Sequence, residues 1–245
     1  MCHSTESRPP APPVAGEVAA HGPLTLTASD GAEFLAHHAV PATPNGRKIV
    51  LLPDVRGVHA FYRDLTRGFA EAGFETVAID YYGRTAGLGE RDDTFDWESH
   101  LPRVQSADVA KDVAAARDFL GDGPVFTVGF CFGAGQSWRL SAAGPGLAGV
   151  IGFYGLPKLV EDVVQDLRAP MLLLLAGEDV ATSRTEFDAF TGELDAVGVP
   201  YERHVYAGAP HSFFDRSYAE WGEACDDAWR RILAFTQPSR VDSRA

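Results

Sequence analysis

Short apolar strand-like runs alternate with amphipathic helical stretches along almost the whole chain, and this constrains the fold more than any other feature. Runs at 49–52 (IVLL), 76–79 (TVAI), 125–130 (VFTVGF), 147–153 (LAGVIGF) and 171–175 (MLLLL) are too short and apolar for surface helices and read as buried strands. Between them lie helical periods. Residues 60–72 carry Phe61, Leu65, Phe69 and Ala72 on one face and stop at Gly73. Residues 105–120 carry Val109, Val113, Ala116 and Leu120. Another helix begins just after Cys131, and Ser183 with Glu186 forms a capping box for one carrying Phe187, Phe190, Leu194 and Val197 and ending at Gly198. A strand at 201–206 and a helix at about 217–235 close the pattern. Such alternation predicts an α/β domain with a mostly parallel sheet covered by helices on both faces. Ahead of it, 22–27 and 33–40 flank Ser29-Asp30-Gly31, which predicts an antiparallel hairpin.

The 245 residues suit one domain, placed at 21–238. Residues 1–20 are rich in Pro and Ala without an apolar period and read as a disordered tail, and 239–245 as a C-terminal tail. A net charge of −13 argues against nucleic-acid and anionic-membrane partners. Cys2, Cys131 and Cys225 form no CxxC pair, so neither a disulfide framework nor a zinc ribbon is expected, and a reducing compartment fits. With no secretory apolar region and no membrane-length run, the expected location is the cytoplasm. Cys225 shares a helical stripe with Trp221 and Trp229 and reads as core. Two stretches break the pattern. One is a lid-like loop, 82–104, rich in acids (Glu90, Asp92, Asp93, Asp96, Glu98); the other is 208–216. Both belong at the carboxyl edge of the sheet, where open α/β folds bind ligands.

Gly129-Phe130-Cys131-Phe132-Gly133 is G-x-C-x-G between a strand and a helix. With serine at its centre this is the nucleophile elbow: a strained turn that lifts the central side chain above the sheet edge while glycines let the backbones pass. The following N–H, on Phe132, would face an oxyanion. A nucleophile needs a base, and the base an orienting acid. Asp179 follows the 171–175 run and His211 follows the last strand, giving the chain order nucleophile, acid, histidine. Glu178 is an alternative orienter, and His59 and His100 lie in loops that could line the cleft. No histidine–carboxylate cluster has metal-ligand spacing and no phosphate loop of Walker type occurs, so no metal or cofactor is expected.

Four segments carry a family resemblance: LPDVRGV (52–58), IDYYGR (79–84), the elbow with Gly135, and GAPHSF (208–213). With them the chain resembles the dienelactone hydrolase (carboxymethylenebutenolidase) family of the α/β-hydrolase fold, whose members use cysteine where most relatives use serine. The likeness spans about 24–235. It implies a Cys131–Asp179–His211 triad, an oxyanion hole from the N–H groups of Val55 and Phe132, and a small lactone or ester substrate, in a monomer or homodimer. It also implies Arg84 as one of two arginines binding a substrate carboxylate. The sequence departs from the family in two places. Asp54 stands where a glutamate governs the thiol, with Arg56 near enough to pair with it instead. Asp215 stands where the second arginine is expected, and Arg216 follows it. Tyr154 joins Phe130, Phe132, Phe213 and Phe214 as candidate pocket wall. The expected activity is lactone hydrolysis; a general carboxylesterase or thioesterase and a catalytically silent scaffold are the alternatives.

Overall fold

In a computed structural model describing residues 3–4, 6–142 and 146–237, the fully buried runs become the inner strands. These are β3 (Lys48–Leu52), β4 (Glu75–Ile79), β5 (Val125–Phe130), β6 (Gly149–Phe153) and β7 (Met171–Glu178). The outer strands are β1 (Val18–Thr27), β2 (Glu33–Pro41) and β8 (Tyr201–Pro210). The order is β1-β2-β4-β3-β5-β6-β7-β8. Pairing is parallel from β4 through β3 to β8, and antiparallel in the β1–β2 hairpin and where β2 joins β4. This is the expected architecture, and no helix among the described residues is long and apolar enough to cross a membrane.

Alternating side chains explain how one sheet supports two apolar layers. Phe126, Val128 and Phe130 of β5, Ile151 and Phe153 of β6, and Leu172 and Leu174 of β7 pack with Phe61, Leu65 and Phe69 of helix α1 (Ala60–Glu71) and with Trp229 and Ile232 of the C-terminal helix (Gly222–Phe235). Their neighbours point the other way. Val150, Met171, Leu173 and Leu175 meet Phe187, Phe190 and Leu194 of the helix Arg184–Val197, while Val50, Leu52 and Val77 meet Val109, Val113 and Ala116 of the helix Ser106–Leu120. Both halves of the Ser183–Glu186 capping box form, and Gly198 ends that helix in the left-handed conformation.

Several boundaries differ from the sequence reading. β8 continues through Gly208 to Pro210, because its pairing with β7 resumes after a bulge. The last helix starts at Gly222 after a 3-10 turn at Ala219–Trp221. The lid-like loop holds two short helices, Gly83–Ala86 and Trp97–His100, and a 3-10 turn, Leu101–Arg103. It is pinned by Arg91, which is 3 % exposed, meets Asp80 at 2.8 Å and donates to the carbonyls of Gly87 and Gly89.

The larger correction concerns the first 20 residues. Instead of a disordered tail, the described ones form an arm laid on the domain, with β1 already begun at Val18. The Trp229 indole donates to the Pro10 carbonyl, the Arg216 amide to the Arg8 carbonyl, and the Gly16 amide to the Glu71 carbonyl. His3, Ser7, Pro9, Pro10 and Pro12 are buried. Such an arm needs no apolar period, since its anchors are isolated rings and backbone groups. The expected C-terminal tail, 239–245, lies outside the described residues.

Candidate active site

The elbow forms as the glycines require. Cys131 has φ 53° and ψ −114°, its N–H donates to the Phe153 carbonyl of β6, and the helix Phe132–Arg139 starts at the next residue. A Cβ on Gly129 would lie 2.1 Å from the Gly133 oxygen. One on Gly133 would lie 2.2 Å from the oxygens of both Leu52 and Pro53. No side chain fits either gap, so strand and helix cross here only because both residues are glycine. Among the described residues, Cys131, Tyr154 and Ser212 are the non-glycine residues with positive φ. Each follows the end of a different strand, or lies beside His211. Strain of this kind costs about 1–3 kcal/mol per residue and gathers at functional sites.

Asp179 and His211 are brought together. The imidazole Nδ1 of His211 lies 2.9 and 3.0 Å from the two Asp179 oxygens. Asp179 is held in turn by the amides of Ala181 and Thr182. Glu178, the alternative orienter, is the exposed last residue of β7, so Asp179 alone faces the histidine. Tyr154, fully buried, sets its ring 4.8 Å from that of His211. Val55 and Phe132 are buried, and no described residue accepts from either N–H. A cavity of 320 Å³ opens nearby between β7, β8 and the Arg184 helix, lined by Gly177, Glu178, Arg184 and Arg203. Neither Cys131 nor His211 lines it.

Asp54 is fully buried, yet Arg56 does not neutralise it. The Arg56 amide donates to Asp54 at 2.8 Å, while its guanidinium reaches Asp93 at 2.7 Å and the His3 carbonyl at 3.1 Å. The second donor to Asp54 is the amide of His3, at 3.1 Å. His59 is 2 % exposed with Nε2 4.0 Å from Asp54, and burial pushes its imidazole down to about 4. Cys225 is core, as expected: burial pushes its thiol up to about 12.

Arg84 is held bidentate by Asp112 and bonded to Asp30, drawing its guanidinium toward the β1–β2 turn and the Ser106–Leu120 helix. Arg216 is exposed, while the preceding Asp215 is buried. The pairing partners of Arg84 come from distant elements that the motif IDYYGR does not reveal. His3 is the site residue that sequence reading missed; a lone histidine in a proline-rich stretch gives no signal.

The dienelactone hydrolase family model matches residues 34–239. The chain belongs to the dienelactone hydrolase family. It is therefore a hydrolase of lactone and ester bonds. The carboxymethylenebutenolidase of Rhodococcus opacus is 28% identical over 259 residues, with 96% of each chain covered. Among solved structures, a Klebsiella pneumoniae protein described as a "Putative Dienelactone Hydrolase" is 28% identical with a TM-score of 0.75, covering 89% of this chain and 100% of that one. An esterase of Pyrococcus furiosus, 14% identical with a TM-score of 0.61 and covering 94% of this chain and 98% of that one, shares the fold. The arm before residue 18 precedes the matched family region.

Proposed function

We propose that the chain is a cysteine-dependent lactone and ester hydrolase in which Cys131 is the nucleophile, His211 the base and Asp179 its orienter. The observation that carries this reading is the Asp179–His211 pair in the same sheet-edge cluster as a strained Cys131. The Cys131 sulfur attacks the carbonyl carbon, forming a C–S bond, and its proton passes to His211 Nε2, since Asp179 holds Nδ1. The N–H groups of Phe132 and Val55 receive the oxyanion. Collapse breaks the C–O bond, and the leaving oxygen takes electron pair and proton; with a dienelactone it departs as an enol. Water, deprotonated by His211, attacks the thioester, and C–S cleavage returns the thiol. An enolate is a good leaving group for a thiol nucleophile and an amide nitrogen a poor one, so esters and lactones rather than peptides are the substrates.

The first reading of substrate is a lactone of the dienelactone type. The engagement of Arg84 with Asp112 and Asp30 favours a second, a neutral apolar ester, because that guanidinium is already bonded to two carboxylates. Wild type and Cys131→Ala assayed on a dienelactone and on phenyl acetate test both. Loss of both activities in the variant is expected, and a variant retaining wild-type rates removes Cys131 from the mechanism. A wild-type kcat/KM favouring phenyl acetate selects the second substrate reading.

A further inference from the structure

The position beside Asp54 and Tyr154 is filled by the chain's own His3. Its imidazole stacks on Phe61 with centroids 3.7 Å apart and planes 11° apart, with the rings of Tyr62 and Phe130 edge-on at 6.2 Å. Nε2 lies 2.8 Å from the Tyr154 hydroxyl, the amide donates to Asp54, and the carbonyl accepts from Arg56. Nδ1 is 3.8 Å from Asp215 Oδ2. Both atoms are buried without a hydrogen-bond partner among the described residues. The ring thus lies between an aromatic stack, the Tyr154 hydroxyl and the buried Asp215 carboxylate, the complement of a flat ring carrying N–H groups, while Asp54 and Arg56 hold the His3 backbone. A ring bearing a carboxylate would meet Asp215 at close range, with burial raising the repulsion.

The rest of the arm is held by scattered contacts rather than by strand pairing. Among them are the Arg8 amide on Asp215 at 3.0 Å, the Arg8 carbonyl on the Arg216 amide at 2.9 Å and the Pro10 carbonyl on Trp229 at 3.1 Å. Residues 6–12 form no strand or helix. Segments anchored by a few hydrogen bonds open locally at little free-energy cost. With the arm down, Cys131 is 6 % and His211 7 % exposed.

Resting on the reading of Cys131 as nucleophile, we propose that this arm is a built-in occupant of the substrate pocket: His3 fills a subsite for a planar, N–H-bearing ring, and a substrate reaches Cys131 by displacing it. The subsite selects neutral or cationic ring-bearing esters. Occupancy by the arm lowers apparent affinity in proportion to the closed fraction.

Iodoacetamide alkylation of Cys131, located by mass spectrometry, tests this without needing turnover. A chain lacking residues 1–7 and full-length His3→Ala are compared with wild type at pH 7, alongside kcat/KM on phenyl acetate. If the arm is closed about nine-tenths of the time, alkylation rises about tenfold in the truncated chain, and less in His3→Ala. Millimolar imidazole then slows alkylation of the truncated chain and leaves wild type unchanged. Should truncation prevent folding, His3→Ala with imidazole protection carries the test. Folded variants alkylated at the wild-type rate, or without protection by imidazole, overturn the proposal. Faster alkylation with no ester hydrolysis in any of the chains leaves the arm standing and overturns the nucleophile reading instead.

Discussion

The Arg84 guanidinium sits on the Asp112 carboxylate, one nitrogen 2.7 Å from each oxygen. Burial holds the Asp112 carboxyl up at about 6 even with this partner. Removing the arginine leaves a 1 %-exposed acid uncompensated. Arg84→Ala therefore lowers stability by about 2 kcal/mol, below the value for breaking a fully buried pair because Arg84 is partly solvated. It changes kcat/KM for a dienelactone and for phenyl acetate by the same factor. Urea unfolding and the two assays check this; selective loss on the dienelactone restores Arg84 as a carboxylate clamp.

Asp179 holds Nδ1 of His211, which under the proposed mechanism leaves Nε2 for Cys131. Asp179→Asn keeps the shape but supplies an amide in place of the charge. The expected fall in kcat on phenyl acetate is about 100- to 10,000-fold with the thermal transition nearly unmoved. A fall below tenfold means another group orients His211.

Gly133 and Gly192 make a matched pair. A methyl at Gly133 would overlap two backbone oxygens at 2.2 Å, whereas nothing lies within 4 Å of one at Gly192, inside the Arg184–Val197 helix. Gly133→Ala is expected to cost about 3 kcal/mol or more, while Gly192→Ala stabilises by about 0.5–1 kcal/mol. Denaturant midpoints decide, and equal effects contradict the steric account.

His59 makes the fold acid-sensitive. Its folded pKa, about 4, lies below the ordinary value of 6.5. Above pH 6.5 both folded and unfolded chains hold it neutral and it has no effect. As pH falls through 6.5 toward 4 only the unfolded chain gains the proton, so stability drops, by about 2 kcal/mol at pH 5. His37 adds a similar loss, since burial lowers it to about 4 as well. The difference between wild type and His59→Gln isolates the term: between pH 7 and 5 the variant loses about 2 kcal/mol less, and parallel losses exclude His59 as the source.

What the sequence disclosed was what local rules govern. Strand runs, helix stripes, the capping box at Ser183 and the elbow around Cys131 depend on near neighbours, and all appear in the structure. The choice of Asp179 over Glu178 required knowing where β7 ends. The partners of Arg84, namely Asp30 and Asp112, sit on separate elements, and no period links them. His3 was illegible for the same reason: its value lies in Phe61, Asp54 and Tyr154, brought together only by the completed sheet.

Strand order has a kinetic corollary. Cys131, Tyr154, Asp179 and His211 follow β5, β6, β7 and β8, four adjacent strands joined through successive parallel crossovers. Such pairings close long loops and form slowly. A chain in which β7 and β8 have not yet docked has not brought Asp179 to His211. Recovery of catalysis during refolding should therefore trail recovery of helix signal, making turnover a clock for the last strand to dock.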